Sequence, residues 1–459
     1  MRMIYGDTPA ARVSPSPVPR ILALAMTVVG CSVTIVAGWP GGISPDMAST
    51  LTEARDFAFY GAQSPMFGLA WSLPLAVLPL AVAVGVGYTL QALAYWSTFA
   101  LLAHASLRHG RRVMALIAAL AGFLPPLFGF TVMLESNVQV SAAWGLAITL
   151  AYALPGRRTL MVCLPLVFYG YIARYGMIAA LTPVLFACLS LARADGPWKR
   201  TLRDSLGVTV AFVVVAIGIT ALLPGPPSRT RVLGVTKLVD LAGVYDSTGT
   251  HCIPAAFVPA TTTAEAIMAK YDPSLGAALI FDNTPRFQLP ESHAPYEALT
   301  RCWIDTLSTH PREYLAVKAR YALIFLMVGV EWAPATRPDY AANASLGLSI
   351  PDHRLTQATK AYIERSRTSI VWKGWFWFLV AAIVVGLAVA RRHPHRAAAV
   401  ALYAGAVGTL IPQVVAGTAA LARYYVPTFM ILILAMMITA GWPTVRGRVA
   451  RKRADSIAA

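Results

Sequence analysis

WPGGISPDMASTLTEARD, residues 39–56, follows without a break on an apolar run from Ile21 to Trp39, and this junction decides how the rest of the chain is read. A run of that length is what one crossing of a bilayer requires. Ser44 is placed to cap a helix whose first position is Pro45. From there Met47, Leu51, Ala54 and Ala58 recur on one helical face, while Asp46, Ser49, Glu53 and Asp56 recur on another. The spacing predicts a membrane-spanning helix followed at once by an amphipathic helix at the membrane surface. Its carboxylate-rich face turns to water or to a cavity.

The remaining chain extends the pattern. Of 459 residues, 57% are hydrophobic and only 13% charged, too little polar surface for a soluble protein of this size. Further spans are predicted at 80–106, 113–132, 137–154, 159–173, 175–192, 206–224, 371–391, 396–416 and 424–442, about ten in all with the first. With ten spans, Arg108–Arg112 (RHGRR), Arg157-Arg158, Arg193–Arg203, Arg391–Arg396 (RRHPHR) and the tail Arg446–Arg453 fall on one side. The positive-inside rule makes that side the cytoplasm and places both termini there. Arg2, Arg12 and Arg20 precede the first span, and Trp39-Pro40-Gly41-Gly42 is a poor signal-peptide cleavage site, so the span is read as retained. The net charge of +17 is carried mostly by these arginine clusters. No nucleic-acid-binding module surrounds them, so nucleic acid is not an expected partner.

Two shorter apolar runs, Met66–Leu80 and Ala316–Glu331, would put RHGRR or RRHPHR on the wrong side if they crossed. They are read as helices lying in the interface or dipping into the protein. The fold class is therefore an all-α polytopic membrane protein. Its parts are a cytoplasmic tail (1–20), a transmembrane core (21–223) with a first outer loop (40–79), an extracytoplasmic domain of mixed loops and helices (224–370), C-terminal transmembrane helices (371–442) and a basic cytoplasmic tail (443–459). The extracytoplasmic segment holds Asp240, Asp246, Asp272, Asp282 and Asp305, and Cys252 and Cys302 are its only cysteines. An oxidising compartment permits these two to pair, but sequence alone does not show the geometry. Cys31, Cys163 and Cys188 lie in predicted spans and suit a small apolar role.

A first span, then Pro-Gly and Ser44-Pro45-Asp46 opening an interfacial helix, then a second helix at Ser64-Pro65, resembles the first outer loop of the GT-C glycosyltransferase superfamily. Arg174-Tyr175-Gly176, Glu135-Ser136-Asn137, His310-Pro311-Arg312-Glu313-Tyr314 and Arg423-Tyr424-Tyr425-Val426-Pro427 fit the same pattern. The topological resemblance covers nearly all of the chain and is closest to bacterial members. Many members have adjacent acidic residues in the first loop, where Met47 here follows Asp46. Many have His-Pro-Pro where this chain has Ser64-Pro65-Met66, and Glu135 stands where aspartate is more usual.

The resemblance implies a multi-pass enzyme of the bacterial inner membrane that moves a sugar from a polyprenyl-phosphate carrier to an extracytoplasmic lipid, glycan or protein, with inversion. Asp46 is the candidate base, assisted by Glu135. Arg174 and Arg423 are candidates to stabilise the leaving phosphate, with Tyr424 and Glu53 as substrate-binding candidates. Each has a plainer reading. Glu53 and Asp56 suit a solvated helix face, the arginines suit interfacial snorkelling, and Tyr424 with Tyr425 suits an aromatic belt. No Walker loop, Cys-x-x-Cys or His-Glu-x-x-His is present, and His251, His293 and His310 are scattered. The sequence indicates no cofactor, although the chemistry leaves room for a divalent metal. Two other functions fit the topology: a transporter or flippase of lipid-linked sugars, and a non-catalytic GT-C scaffold.

Overall fold

The computed structural model describes residues 18–59, 64–193, 197–223, 229–281, 284–330, 341–350, 352–417 and 422–440. Most of the predicted N-terminal tail and all of the basic tail 443–459 lie outside these residues. The first apolar run forms α1 (Val18–Gly38), which leads through β1 (Gly42–Ile43) into α2 (Pro45–Asp56). Next come α3 (Pro65–Val77), α4 (Leu80–Arg108), α5 (Arg112–Ala121) and α6 (Pro125–Thr131). After β2 (Met133–Leu134) the chain forms α7 (Ser136–Ala153), α8 (Arg157–Ala173), a 3₁₀ turn over Tyr175–Met177, α9 (Ile178–Arg193) and α10 (Trp198–Leu222).

Among the described residues, six helices are long and apolar enough to cross a membrane: Ile21–Gly38, Leu80–Arg108, Tyr175–Arg193, Trp198–Leu222, Arg396–Ala416 and Arg423–Ala440. The predicted span 113–132 is not one straight helix but α5 and α6, bent by 50°, and makes a seventh if the pair is counted together. Pro125 and Pro126 open α6 and have no amide hydrogen to continue the ladder of α5. The 13-residue α3 is about 20 Å long at 1.5 Å per residue, short of the roughly 30 Å hydrocarbon core. Predicted spans 137–154, 159–173 and 371–391 are helical, over Ser136–Ala153, Arg157–Ala173 and Gly374–Ala390, but are not among the six. In α7 the cause is polar content, since Asn137, Gln139, Ser141 and Thr149 are all buried inside the protein. A helix shielded by its neighbours need not be apolar on every face.

The basic clusters meet at one end of the helices. Arg108 donates to the Ala153 carbonyl at 3.3 Å, and the Tyr152 ring lies 5.5 Å from His395, edge to face. Arg193 pairs with Asp204 where α9 gives way to α10. One boundary differs from expectation: the helix begins at Trp198, so Lys199, Arg200 and Arg203 occupy its first turns rather than a loop.

The segment between α10 and the C-terminal helices contains α11 (Arg229–Thr248), α12 (Ala264–Met268), α13 (Ala278–Phe281), α14 (Ala294–Thr309), α15 (Pro311–Phe325), α16 (Ala341–Ser345) and α17 (Arg354–Ser366). Leu238, Leu241, Phe257, Ile267, Leu279 and Leu299 form a hydrophobic core separate from that of the main bundle. Cys252 and Cys302 are bonded across this unit at a Cα–Cα distance of 5.7 Å. The chain then returns through α18 (Gly374–Ala390), α19 (Arg396–Ala416), a 3₁₀ turn over Ala422–Tyr425 and α20 (Val426–Ala440). The small unit is held to the end of α19 remote from RRHPHR. Thr236 donates to the Ala416 carbonyl, and Lys318 donates to that of Val415. Lys318 also pairs with buried Asp240 at 2.6 Å. Burial raises the Asp240 pKa, while Lys318 and the Trp303 indole pull it down.

Candidate functional site

Two short strands bring the first loop to the start of α7. β1 and β2 pair in parallel, Gly42 opposite Met133 and Ile43 opposite Leu134, so Ser44 and Glu135 leave the ladder side by side. Gly41 makes the preceding turn at φ 119°, a conformation open to glycine, and a Cβ there would stand 3.1 Å from the Tyr88 ring. The loop is clamped from a distance by Asn343 of α16. Its Oδ1 accepts from the Ile43 amide at 2.8 Å, and its Nδ2 donates to the Gly41 carbonyl at 2.9 Å. α17 secures the end of α1, since His353 and Thr356 donate to the carbonyls of Val36 and Ala37. On the β2 side, the Gln91 side chain donates to the Met133 carbonyl.

This scaffold sets the position of Asp46. Ser44 accepts from the Met47 amide at 3.2 Å, and Pro45 begins the helix as expected. Asp46 Oδ2 lies 3.5 Å from Arg423 Nη2, with 35% of the aspartate side chain and 15% of the arginine side chain still exposed, so the pair remains open to solutes. Tyr424 carries both guanidiniums, Arg174 at 4.6 Å and Arg423 at 5.2 Å from its ring centroid. Arg174 is presented by the reversal between α8 and the 3₁₀ turn, and Arg423 by the 3₁₀ turn before α20. Burial raises the Asp46 pKa most, Arg423 and then Arg174 lower it, and the Glu135 charge raises it further. Asp46, Glu135, Arg174 and Arg423 thus form one electrostatic group.

Glu135 is fully buried and accepts from Asn137 at 2.8 Å and from Ser136 at 3.4 Å through one oxygen. Its other oxygen, Asn137 Oδ1, Arg174 Nη1 and Arg423 Nε are buried with no hydrogen-bond partner among the described residues. Each such atom costs about 1–3 kcal/mol unless a ligand or water meets it. The cluster therefore offers a carboxylate oxygen and guanidinium N–H groups at one place, a set that takes a hydroxyl and an anionic group together.

Glu53 does not lie on an open face as the periodicity suggested. It is buried on α2, with Ser49 donating to it at 3.4 Å, and α3 and α16 pack against that helix. Asp56 is exposed and pairs with neighbouring Arg55, in keeping with a solvated role. Tyr425 is not part of an exposed aromatic belt. It is buried and stacks on Phe325 of α15 at 4.4 Å. Gln91, Gln139 and Asn343 escaped the sequence reading. Amides inside otherwise apolar runs at 91 and 139 were the available signal, whereas nothing local marks Asn343. Among the described residues, no group of three or more His, Cys, Asp or Glu could hold a metal ion.

Fold and site together define an all-α protein with several helices suited to crossing a membrane and a half-buried carboxylate–guanidinium cluster beside one of their ends. No family model matches the chain, and no curated protein or solved structure matches it.

Proposed function

We propose that this chain is a GT-C-type glycosyltransferase of the bacterial inner membrane, which transfers a sugar from a polyprenyl-phosphate donor to an acceptor hydroxyl on the non-cytoplasmic side. The observation that carries the reading is the joining of Asp46 to Arg423, with Arg174 stacked on the same tyrosine and Glu135 within electrostatic reach. The ten-span topology is supported by the gathering of the basic clusters at one end of the helices, opposite the end where the small disulfide-linked unit is anchored.

In this reading Asp46 takes the proton of the acceptor hydroxyl as that oxygen bonds to the anomeric carbon. The bond from this carbon to the phosphate oxygen breaks, and its electron pair leaves with the carrier phosphate. Attack opposite the leaving group inverts the centre. Arg423 and Arg174 stabilise the charge gathering on the phosphate, and Glu135 keeps Asp46 basic by like-charge repulsion.

The test is glycolipid and surface-glycan mass spectrometry on cells with the gene, without it, and complemented by Asp46→Asn. Loss of one sugar in both the deletion and the Asp46→Asn strain supports the reading, with transfer by the purified variant down about 10²- to 10⁴-fold, the usual worth of a general base, and its helix content unchanged. An unchanged profile in the deletion sinks it. Full complementation by Asp46→Asn leaves a non-catalytic scaffold. Movement of a labelled lipid-linked sugar across liposomes without its consumption identifies a flippase.

A further inference from the structure

A groove of about 480 Å³ lies between α9, α10 and α19, away from the Asp46 cluster. Its walls are nearly all apolar: Phe186 and Pro183 from α9, Trp198 and Leu202 from α10, Val400 from α19. It exists because α19 presents small side chains at Ala397, Ala401 and Ala404, recurring on one helical face. Thr182 of α9 hydrogen-bonds Thr209 of α10 at 2.9 Å, closing the gap between these helices.

The two ends of the groove differ. Arg396 stands at its mouth, exposed, and no carboxylate pairs with it among the described residues. The neighbouring Lys199, Arg200, Arg203, Arg391 and Arg392 are also exposed, and Asp204, the carboxylate beside them among the described residues, is already shared by Arg193 and Arg203. Along α19 the lining descends from Arg396 to Ala404, about 12 Å at 1.5 Å per residue, close to the depth of one leaflet's hydrocarbon. Exposed Trp198 lies beside the same basic end, where an indole suits the headgroup level. An open apolar trough beside a guanidinium with no carboxylate partner among the described residues is complementary to one kind of molecule, an amphiphile with an acyl chain and an anionic head.

We propose that this groove binds an anionic phospholipid of the leaflet facing the basic clusters, with Arg396 on the headgroup phosphate and an acyl chain along Ala397–Ala404. The site rests on the membrane reading and not on glycosyl transfer. A single arginine at a membrane surface is worth about fivefold in affinity for an anionic lipid.

The test is native mass spectrometry of the full chain released from nanodiscs of equal phosphatidylglycerol and phosphatidylcholine. The expected result is retained phosphatidylglycerol in preference to phosphatidylcholine, with the preference falling about fivefold in Arg396→Gln. Total retained lipid should fall in Ala404→Trp, which fills the trough at an exposed position. The thermal midpoint of each variant in phosphatidylcholine alone is expected to match the parent, which separates lost lipid from lost fold. Equal retention of the two lipids by the parent, or a phosphatidylglycerol preference untouched by both variants, overturns the proposal. Loss of glycosyl transfer in Asp46→Asn has no bearing on either outcome.

Discussion

Asp46 sits in conflicting surroundings: burial and Glu135 disfavour its charge, while Arg423 and Arg174 favour it. The balance leaves its pKa above the ordinary carboxylate value. A base acts only when ionised, so the proposed transfer should fall as pH drops through this raised pKa, at a higher pH than an exposed aspartate would give. Arg423→Gln removes a charge that lowers the pKa and is expected to move the acid limb to higher pH as well as slow transfer. Glu135→Gln removes a charge that raises it and should move the limb the other way. The pH–rate profiles of the purified variants check this, and a limb that stays put in both excludes Asp46 as the titrating group. At this scale the sequence was informative about identity but not about surroundings. Asp46 and Ser44 could be picked out because a helix start is a local event, set by a side chain and the next three residues. Glu53 could not be judged, because its burial depends on what packs over α2.

At the scale of elements, two distant contacts hold the working geometry. Asn343→Ala leaves the Ile43 amide and the Gly41 carbonyl buried without their partner, at about 1–3 kcal/mol each. The expected outcome is a lower thermal midpoint in detergent together with slower transfer, since Asp46 follows β1 by three residues. A variant that unfolds at the parental temperature would show the clamp to be dispensable. The second contact is the Asp240–Lys318 pair, with 3% and 12% of the side chains exposed. Lys318→Met leaves a buried carboxylate with the Trp303 indole as its remaining hydrogen-bond partner among the described residues. Removing one partner of such a pair costs about 3–5 kcal/mol, so the unit around α11 and α14 should become sensitive to limited proteolysis before the helical bundle does. Neither contact could be read from periodicity, which reports the face of a helix and not its partner.

For the whole molecule, the decisive property is which side of the membrane each end of the bundle occupies. Asp56, at the end of α2 away from Asp46, is exposed on the helix that carries the candidate base, and Arg391 is exposed among the basic clusters. With the proposed topology, a membrane-impermeant maleimide added to spheroplasts should label the Asp56→Cys variant at once and the Arg391→Cys variant only after lysis. The reverse pattern would put Asp46 in the cytoplasm and remove the proposed chemistry from that surface. The basic clusters were legible because they are contiguous in sequence and sit where apolar runs end. The bend between α5 and α6 was legible only in hindsight, from Pro125-Pro126 inside a run that otherwise reads as one span.

Composition and spacing by themselves determined that this chain would be built of apolar helices, where most of them begin, and that Pro45 would open a helix capped by Ser44. These follow from hydrophobic runs and from hydrogen bonds within one turn, both properties of neighbouring residues. Only the tertiary structure decided that Asp46 meets Arg423, that Glu135 emerges beside Ser44, and that Asn343 reaches back to pin the loop. Those meetings depend on strand register and on packing between segments far apart in the chain, which no local pattern encodes.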